Sequence, residues 1–174
     1  RVCAAGDAFS MQVLAQVLQV ANPIRLYVCD VHSKAALQQL DTLLPNTIIC
    51  HIQQKDMIKY NRRLTDVVAD PDTILVSPDK GAIDKTIALA ADFSKEHLVV
   101  TGIKKRDPTT GELSGFEVDT NGLSLLGKHC LIVDDICDGG GTFLGLAAEL
   151  QKLGCTDISL YVTHGIFSKG LKVF

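Results

Sequence analysis

A chain of 174 residues, 47% hydrophobic and 21% charged with 14 Gly and 5 Pro, suits one compact domain or slightly more and excludes disordered, collagen-like and low-complexity chains. With 17 Lys and Arg against 20 Asp and Glu the formal charge is -3, so no global basic field gathers nucleic acid or anionic lipid, and anion binding has to be local. No apolar run reaches the ~18 residues of a spanning helix and no charged-then-apolar leader opens the chain, so the protein reads as cytoplasmic, with no membrane partner. The 6 cysteines, Cys3, Cys29, Cys50, Cys130, Cys137 and Cys155, form no C-x-x-C pair; Cys29, Cys50 and Cys130 lie in apolar runs, which suits buried small hydrophobes in a reducing compartment better than zinc ligands or a disulfide frame.

Met11, Leu14, Val17, Leu18 and Ala21 recur at helical spacing, and Pro23 stops that helix before the strand-like run Ile24–Asp30. The alternation continues with a helix at 34–44, a strand at 47–51, a longer amphipathic helix at 55–69 and a strand at Thr73–Pro78. Ile83, Ile87 and Ala90 mark the next helix, and His97–Ile103 and Cys130–Val133 the next strands. Phe143, Leu146, Ala147 and Leu150 give a helix closed by Gly154, before a last strand at Ile158–Thr163. The polar stretch from Asp107 through Gly115 reads as a mobile loop or hairpin tip. Continuous Val/Ile/Leu strands alternating with helices predict an α/β fold, a doubly wound, mostly parallel sheet.

Ligands of such sheets sit at the carboxyl ends of strands. Four polar strand ends therefore stand out: Asp30–Ser33, Ser77–Gly81, Lys104–Arg106 and Asp134–Asp138. The last is the most informative, because Asp134 and Asp135 are followed by Asp138, then Gly139, Gly140, Gly141 and Thr142 at a helix start. Successive glycines let backbone N–H groups converge on an anion, and the helix adds its positive end and a Thr hydroxyl. Adjacent carboxylates supply acceptors for vicinal sugar hydroxyls, so the combination fits a phosphorylated ribose better than phosphate alone. No Gly-Lys-Ser/Thr follows, and Leu144 stands at the third glycine position of a dinucleotide fingerprint, so neither of those motifs applies. The bland reading is a strand-to-helix turn with solvated acids, against which the density of acids weighs.

This segment resembles the phosphoribosyl-diphosphate (PRPP) motif of the phosphoribosyltransferase fold. Val76–Ala82 is similar to the "SPD-x-G" segment of the ribose-phosphate diphosphokinases, Asp30–Ser33 to their "D-L-H" strand end, Lys104–Arg106 to their "K-R-R" and Thr163–Ser168 to their "T-H-x-x-x-S", in the family's order. The departures, including Val2–Asp7 in place of a charged stretch, Lys80 where His is common, and Gly139 and Gly140 for Thr and Ala, suggest a divergent branch.

The resemblance implies attack of the anomeric hydroxyl of ribose 5-phosphate on the β-phosphorus of ATP, giving PRPP and AMP for nucleotide and NAD precursor synthesis. It implies Lys104 and Arg106 as catalytic cations and Arg106, Asp134, Asp135, Asp138, Gly139, Gly140, Gly141 and Thr142 around ribose 5-phosphate. It also implies His32 and Asp79 at Mg²⁺, Arg1 at ATP, and a homo-oligomer built on dimers. Residues 1–70 would be the C-terminal part of a first phosphoribosyltransferase-like half, and 71–174 a second such half carrying the sugar-phosphate loop. The competing functions are a nucleobase phosphoribosyltransferase that consumes PRPP, a non-catalytic regulatory subunit of the synthase, and a sugar-phosphate-binding module without a reaction.

Overall fold

The computed structural model describes residues 10–106, 109 and 113–174, so Arg1 and Cys3 lie outside the described residues, as does most of the loop expected at 107–115. Contacts divide the chain into two compact units, Arg1–Gln54 and Lys55–Phe174. The sequence expectation drew its line at 70/71. The difference arises because Ile58 and Val68 are buried in one cluster with Leu75, Leu89 and Leu131, which ties 55–70 to the second unit.

In the first unit α1 (Ser10–Ala21), β1 (Arg25–Cys29), α2 (Lys34–Leu43) and β2 (Ile48–Ile52) alternate, with β1 and β2 paired in parallel. Ser33 begins α2 by accepting the Ala36 N–H on its side chain, as an N-cap does. Ala15, Leu40 and Leu44 form the core here, joined by Met11 and Leu18. The inner face of α1 is thus Met11, Ala15 and Leu18, while Leu14 and Val17 of the expected face are exposed. Cys29 is exposed as well, since β1 half-buries only the alternate residues Leu26 and Val28.

The second unit holds α3 (Gln54–Lys59, starting at the boundary), α4 (Arg62–Ala69), β3 (Thr73–Ser77), α5 (Ile83–Ala91), β4 (Val99–Arg106), β5 (Leu113–Asp119), β6 (His129–Cys137), α6 (Gly141–Lys152) and β7 (Asp157–Gly165). Its sheet runs β5-β4-β3-β6-β7. Every pairing is parallel except β4 with β5. Period-two alternation sends Ile74, Val76, Cys130 and Ile132 to one face against Phe143, Leu146 and Leu150 of α6. Leu75, Leu131 and Val133 face the other way, onto Ile58, Val68 and Leu89. A parallel sheet covered on both faces by helices is the doubly wound arrangement expected from the sequence.

Three elements differ from expectation. The helix at 55–69 is two helices, because the Asn61 side chain accepts the Leu64 N–H and starts α4 afresh. Leu113–Asp119 is a strand, antiparallel to β4, so Gly115 belongs to β5 rather than to a loop. β6 also runs on past Val133, which places Asp134 and Asp135 within the strand. Among the described residues no helix is long and apolar enough to cross a membrane.

Lys95 is only 6% exposed, and its ammonium donates to the carbonyls of Val68 (2.9 Å), Thr73 (2.8 Å) and Asp70. It closes the end of α4 and anchors it to the start of β3. Lys95→Met leaves those carbonyls without their donor, at about 1–3 kcal/mol for the lost pairing. A lowered urea midpoint with an unchanged slope is the expected result, and an unaltered midpoint would show that water replaces the ammonium.

Candidate functional site

The order β4-β3-β6 places the carboxyl ends of three parallel strands side by side. Each end carries one of the polar segments singled out from the sequence. At the end of β3, Ser77 donates its hydroxyl to the Asp79 carbonyl at 2.7 Å, and the Gly81 N–H donates to Asp79 Oδ1 at 2.9 Å. The Asp79 carboxylate is thereby held beside β4, where the Lys104 ammonium donates to its Oδ2 at 2.8 Å. β4 itself comes close: a Cβ on Gly102 would stand 2.6 Å from the Pro78 carbonyl oxygen, so a side chain there would push the two strand ends apart.

Charge decides the protonation of Asp79. Burial on its own raises a carboxyl, but the hydrogen bond and charge of Lys104, with the Gly81 and Ala82 N–H groups, outweigh it and hold Asp79 below its ordinary value. Lys105 turns to Glu117 on β5 (3.0 Å), and the β4–β5 register shifts between Lys105 and Arg106. Arg106 closes β4 opposite Leu113; its side chain lies outside the described set.

At the end of β6, Asp135 is 6% exposed and its backbone N–H donates to Asp134 Oδ1 at 2.9 Å. The Lys85 ammonium, from the first turn of α5, lies 3.7 Å from Asp135 Oδ2. Burial pushes Asp134 up from 3.8 to about 6; the charges of Asp135 and Asp79 and a bond to the Asp135 side chain add to this, and the Asp135 backbone N–H opposes it.

The chain then passes through Asp138 and Gly139 to Gly140, the residue that caps α6. Gly140 has φ 76, in the left-handed region that glycine tolerates best, and makes no side-chain cap bond. A Cβ there would stand 2.5 Å from the Phe174 ring. Leu144 donates the first helical bond to the Gly140 carbonyl at 3.0 Å, so the N–H groups of Gly141, Thr142 and Phe143 open the helix without a side-chain partner at the cap. This is the geometry of an anion cradle, adjacent to two carboxylates.

Two predicted residues are not part of the second unit. His32 is exposed and sits in the first unit, after Asp30, which is buried with φ 44. Arg1 lies outside the described residues. Two groups passed over in the sequence have a part in these ends. Lys85 faces Asp135, and His51 Nε2 accepts the Val31 N–H at 3.2 Å, shaping the turn that carries His32. The sequence held no signal for either beyond their residue types.

Among the described residues no three His, Cys, Asp or Glu side chains gather as a metal cluster. Mg²⁺ commonly takes one or two carboxylates together with substrate phosphate oxygens, and Asp79, a carboxylate 39% exposed and already facing a cation, fits such a partial donor set. An exposed imidazole such as His32 is a softer donor than Mg²⁺ prefers.

The family model of the phosphoribosyl transferase domain matches residues 52–171. The ribose-phosphate pyrophosphokinase of Rhizobium meliloti is 32% identical over 162 residues, covering 92% of this chain and 48% of that protein. The ribose-phosphate pyrophosphokinase of Pyrococcus furiosus is 29% identical over 175 residues, covering 98% of this chain and 55% of its own length. The crystal structure of phosphoribosylpyrophosphate synthetase from Mycobacterium smegmatis matches with a TM-score of 0.70 at 23% identity, over 93% of this chain and 48% of that one, which is a likeness of fold. The chain spans about half the length of the curated relatives it matches.

A carboxyl whose folded-state value lies above its unfolded one favours the acid form of the folded protein. The stability this contributes is complete below 3.8 and is lost as pH rises through about 6. In metal-free buffer, thermal unfolding should show stability falling across that window. Asp134→Asn should flatten this part of the profile and be relatively more stable at pH 7 to 8; a profile unchanged by the substitution would mean that another group titrates there.

Proposed function

Since the chain belongs to the phosphoribosyl transferase domain family, we propose that it carries the catalytic strand ends of a ribose-phosphate diphosphokinase, which transfers the diphosphoryl group of ATP to the anomeric hydroxyl of ribose 5-phosphate. The observation that supports this best is the Lys104–Asp79 pair, 2.8 Å apart, at the strand end next to Asp134 and Asp135. A transferase that only consumes PRPP also needs the carboxylates and the cradle, and its departing diphosphate has a use for a cation too, so the pair alone does not separate the two readings. The names of the curated relatives support the diphosphokinase reading.

In this reading the ribose hydroxyls bond to Asp134 and Asp135, and the 5-phosphate rests on the segment Asp138–Thr142 at the start of α6. The anomeric oxygen attacks the β-phosphorus of ATP, the bond from that phosphorus to the α,β-bridging oxygen breaks, AMP leaves with that oxygen, and the hydroxyl proton is released. Lys104 and Arg106 place positive charge where the transferring group and the leaving phosphate gain negative charge, which is the main protein contribution in phosphoryl-type transfers. Asp79 holds the Lys104 ammonium at the strand end until a polyphosphate oxygen takes over the contact. Asp79 would hold Mg²⁺ together with polyphosphate oxygens, and the ion would supply charge neutralisation and orient the donor. Arg1 toward ATP, a homo-oligomer built on dimers and a cytoplasmic setting belong to the same proposal.

The test uses the intact parent protein with ATP, Mg²⁺ and ribose 5-phosphate, following AMP and PRPP by chromatography. Equal amounts of both are expected. Lys104→Ala should lower kcat by about 10²–10³, the size of effect seen when one transition-state donor is removed. A nucleotide formed from added PRPP and a nucleobase, with no AMP formed from ATP, would make the protein a phosphoribosyltransferase instead.

A further inference from the structure

The turn that follows β7 is fastened to the strand end that precedes the cradle. The N–H groups of Ile166 and Phe167 both donate to the Cys137 carbonyl, at 2.8 and 3.3 Å, and Gly170 closes the turn on the Phe167 carbonyl at 2.7 Å. Phe167 packs against the core on its inner side, with its ring where a Gly165 Cβ would otherwise stand, 2.1 Å away. A turn anchored in this way presents its outer residues in a defined place.

Lys169 is the residue it presents to the cradle. Its Cγ, Cδ and Cε lie 3.9, 3.6 and 3.4 Å from the position a Cβ of Gly139 would occupy, so the stem crosses the bare backbone of Gly139 and draws nearer toward its charged end. Any side chain at position 139 would meet that stem. Among the described residues Lys169 makes no hydrogen bond or ion pair, whereas Lys104 is engaged by Asp79 and Lys85 by Asp135.

A sugar-phosphate dianion approaching this edge meets the carboxylates of Asp134, Asp135 and Asp138, and the backbone N–H groups of the cradle offer only partial charges against them. A full positive charge not already engaged by the protein offsets them, and a lysine acts as a point-charge partner for phosphate.

We propose that Lys169 is the cation of the cradle, binding the 5-phosphate of the pentose and so selecting the phosphorylated sugar over the free one. This rests on the diphosphokinase reading above, and it adds a binding residue that the family-like motifs do not include.

The experiment measures binding of ribose 5-phosphate and of ribose to the intact parent protein by calorimetry, together with KM for ribose 5-phosphate and for ATP. Lys169→Ala should weaken ribose 5-phosphate roughly 10- to 100-fold, the range of one charge-assisted bond. KM for ribose 5-phosphate should rise with it while KM for ATP stays put, and Lys169→Arg should recover most of the affinity. Unchanged ribose 5-phosphate affinity in Lys169→Ala, in protein that still forms PRPP, overturns the role of the lysine and leaves the reaction standing. Equal losses in the Ala and Arg variants overturn it too, because packing of the turn and not charge would then be at work. If the unsubstituted protein fails to bind ribose 5-phosphate, the diphosphokinase reading falls and this inference with it.

Discussion

Three carboxylates, Asp79, Asp134 and Asp135, occupy adjoining strand ends of one sheet, and the site depends on how their mutual repulsion is relieved. Lys104 answers Asp79 at 2.8 Å and Lys85 stands 3.7 Å from Asp135, while burial, with the neighbouring carboxylates adding to it, makes Asp134 hold its proton up to about 6. This allocation follows from strand order. Parallel pairing of β3 with both β4 and β6 brings Asp79 between a basic strand end and an acidic one, so a single charge change at Asp79 is felt on both sides.

The backbone does the complementary part of the work. Between Cys137 and Gly141 the chain leaves the sheet, turns through a left-handed residue and enters α6 without a side-chain cap, which leaves N–H groups pointing out of the helix. The Cys137 carbonyl, accepting two N–H groups from the turn after β7, couples that turn to the cradle. The carboxylates and the cradle are therefore consecutive along one stretch of chain, whereas the cations reach them from α5, from β4 and, at the cradle, from beyond β7.

The layered architecture was legible because β3 and β6 are uninterrupted apolar runs, and such runs make sense only when both faces are covered. The strand-end motifs were legible for a related reason: a polar cluster that abruptly ends an apolar strand has few structural uses. The departures from those patterns have physical causes. Asn61 splits a continuous amphipathic pattern through one cap bond. β5 lies at the sheet edge, and its pairing with β4 is a long-range property that no local pattern announces. Ala15 takes the buried place in α1 because unit packing selects a narrower face than hydrophobicity suggests. Lys85 pairs with Asp135 across 50 positions of sequence, a spacing that carries no meaning until the sheet is assembled.

β3 is buried at all five of its positions and has a hydrogen-bonded neighbour on each side. Its backbone amides are consequently the ones solvent reaches last, and opening this strand would separate β4 from β6 in the same event. Opening of that strand would part Lys104, Asp79 and Asp134 in one event, so the geometry of the three groups is tied to the stability of the strand between them.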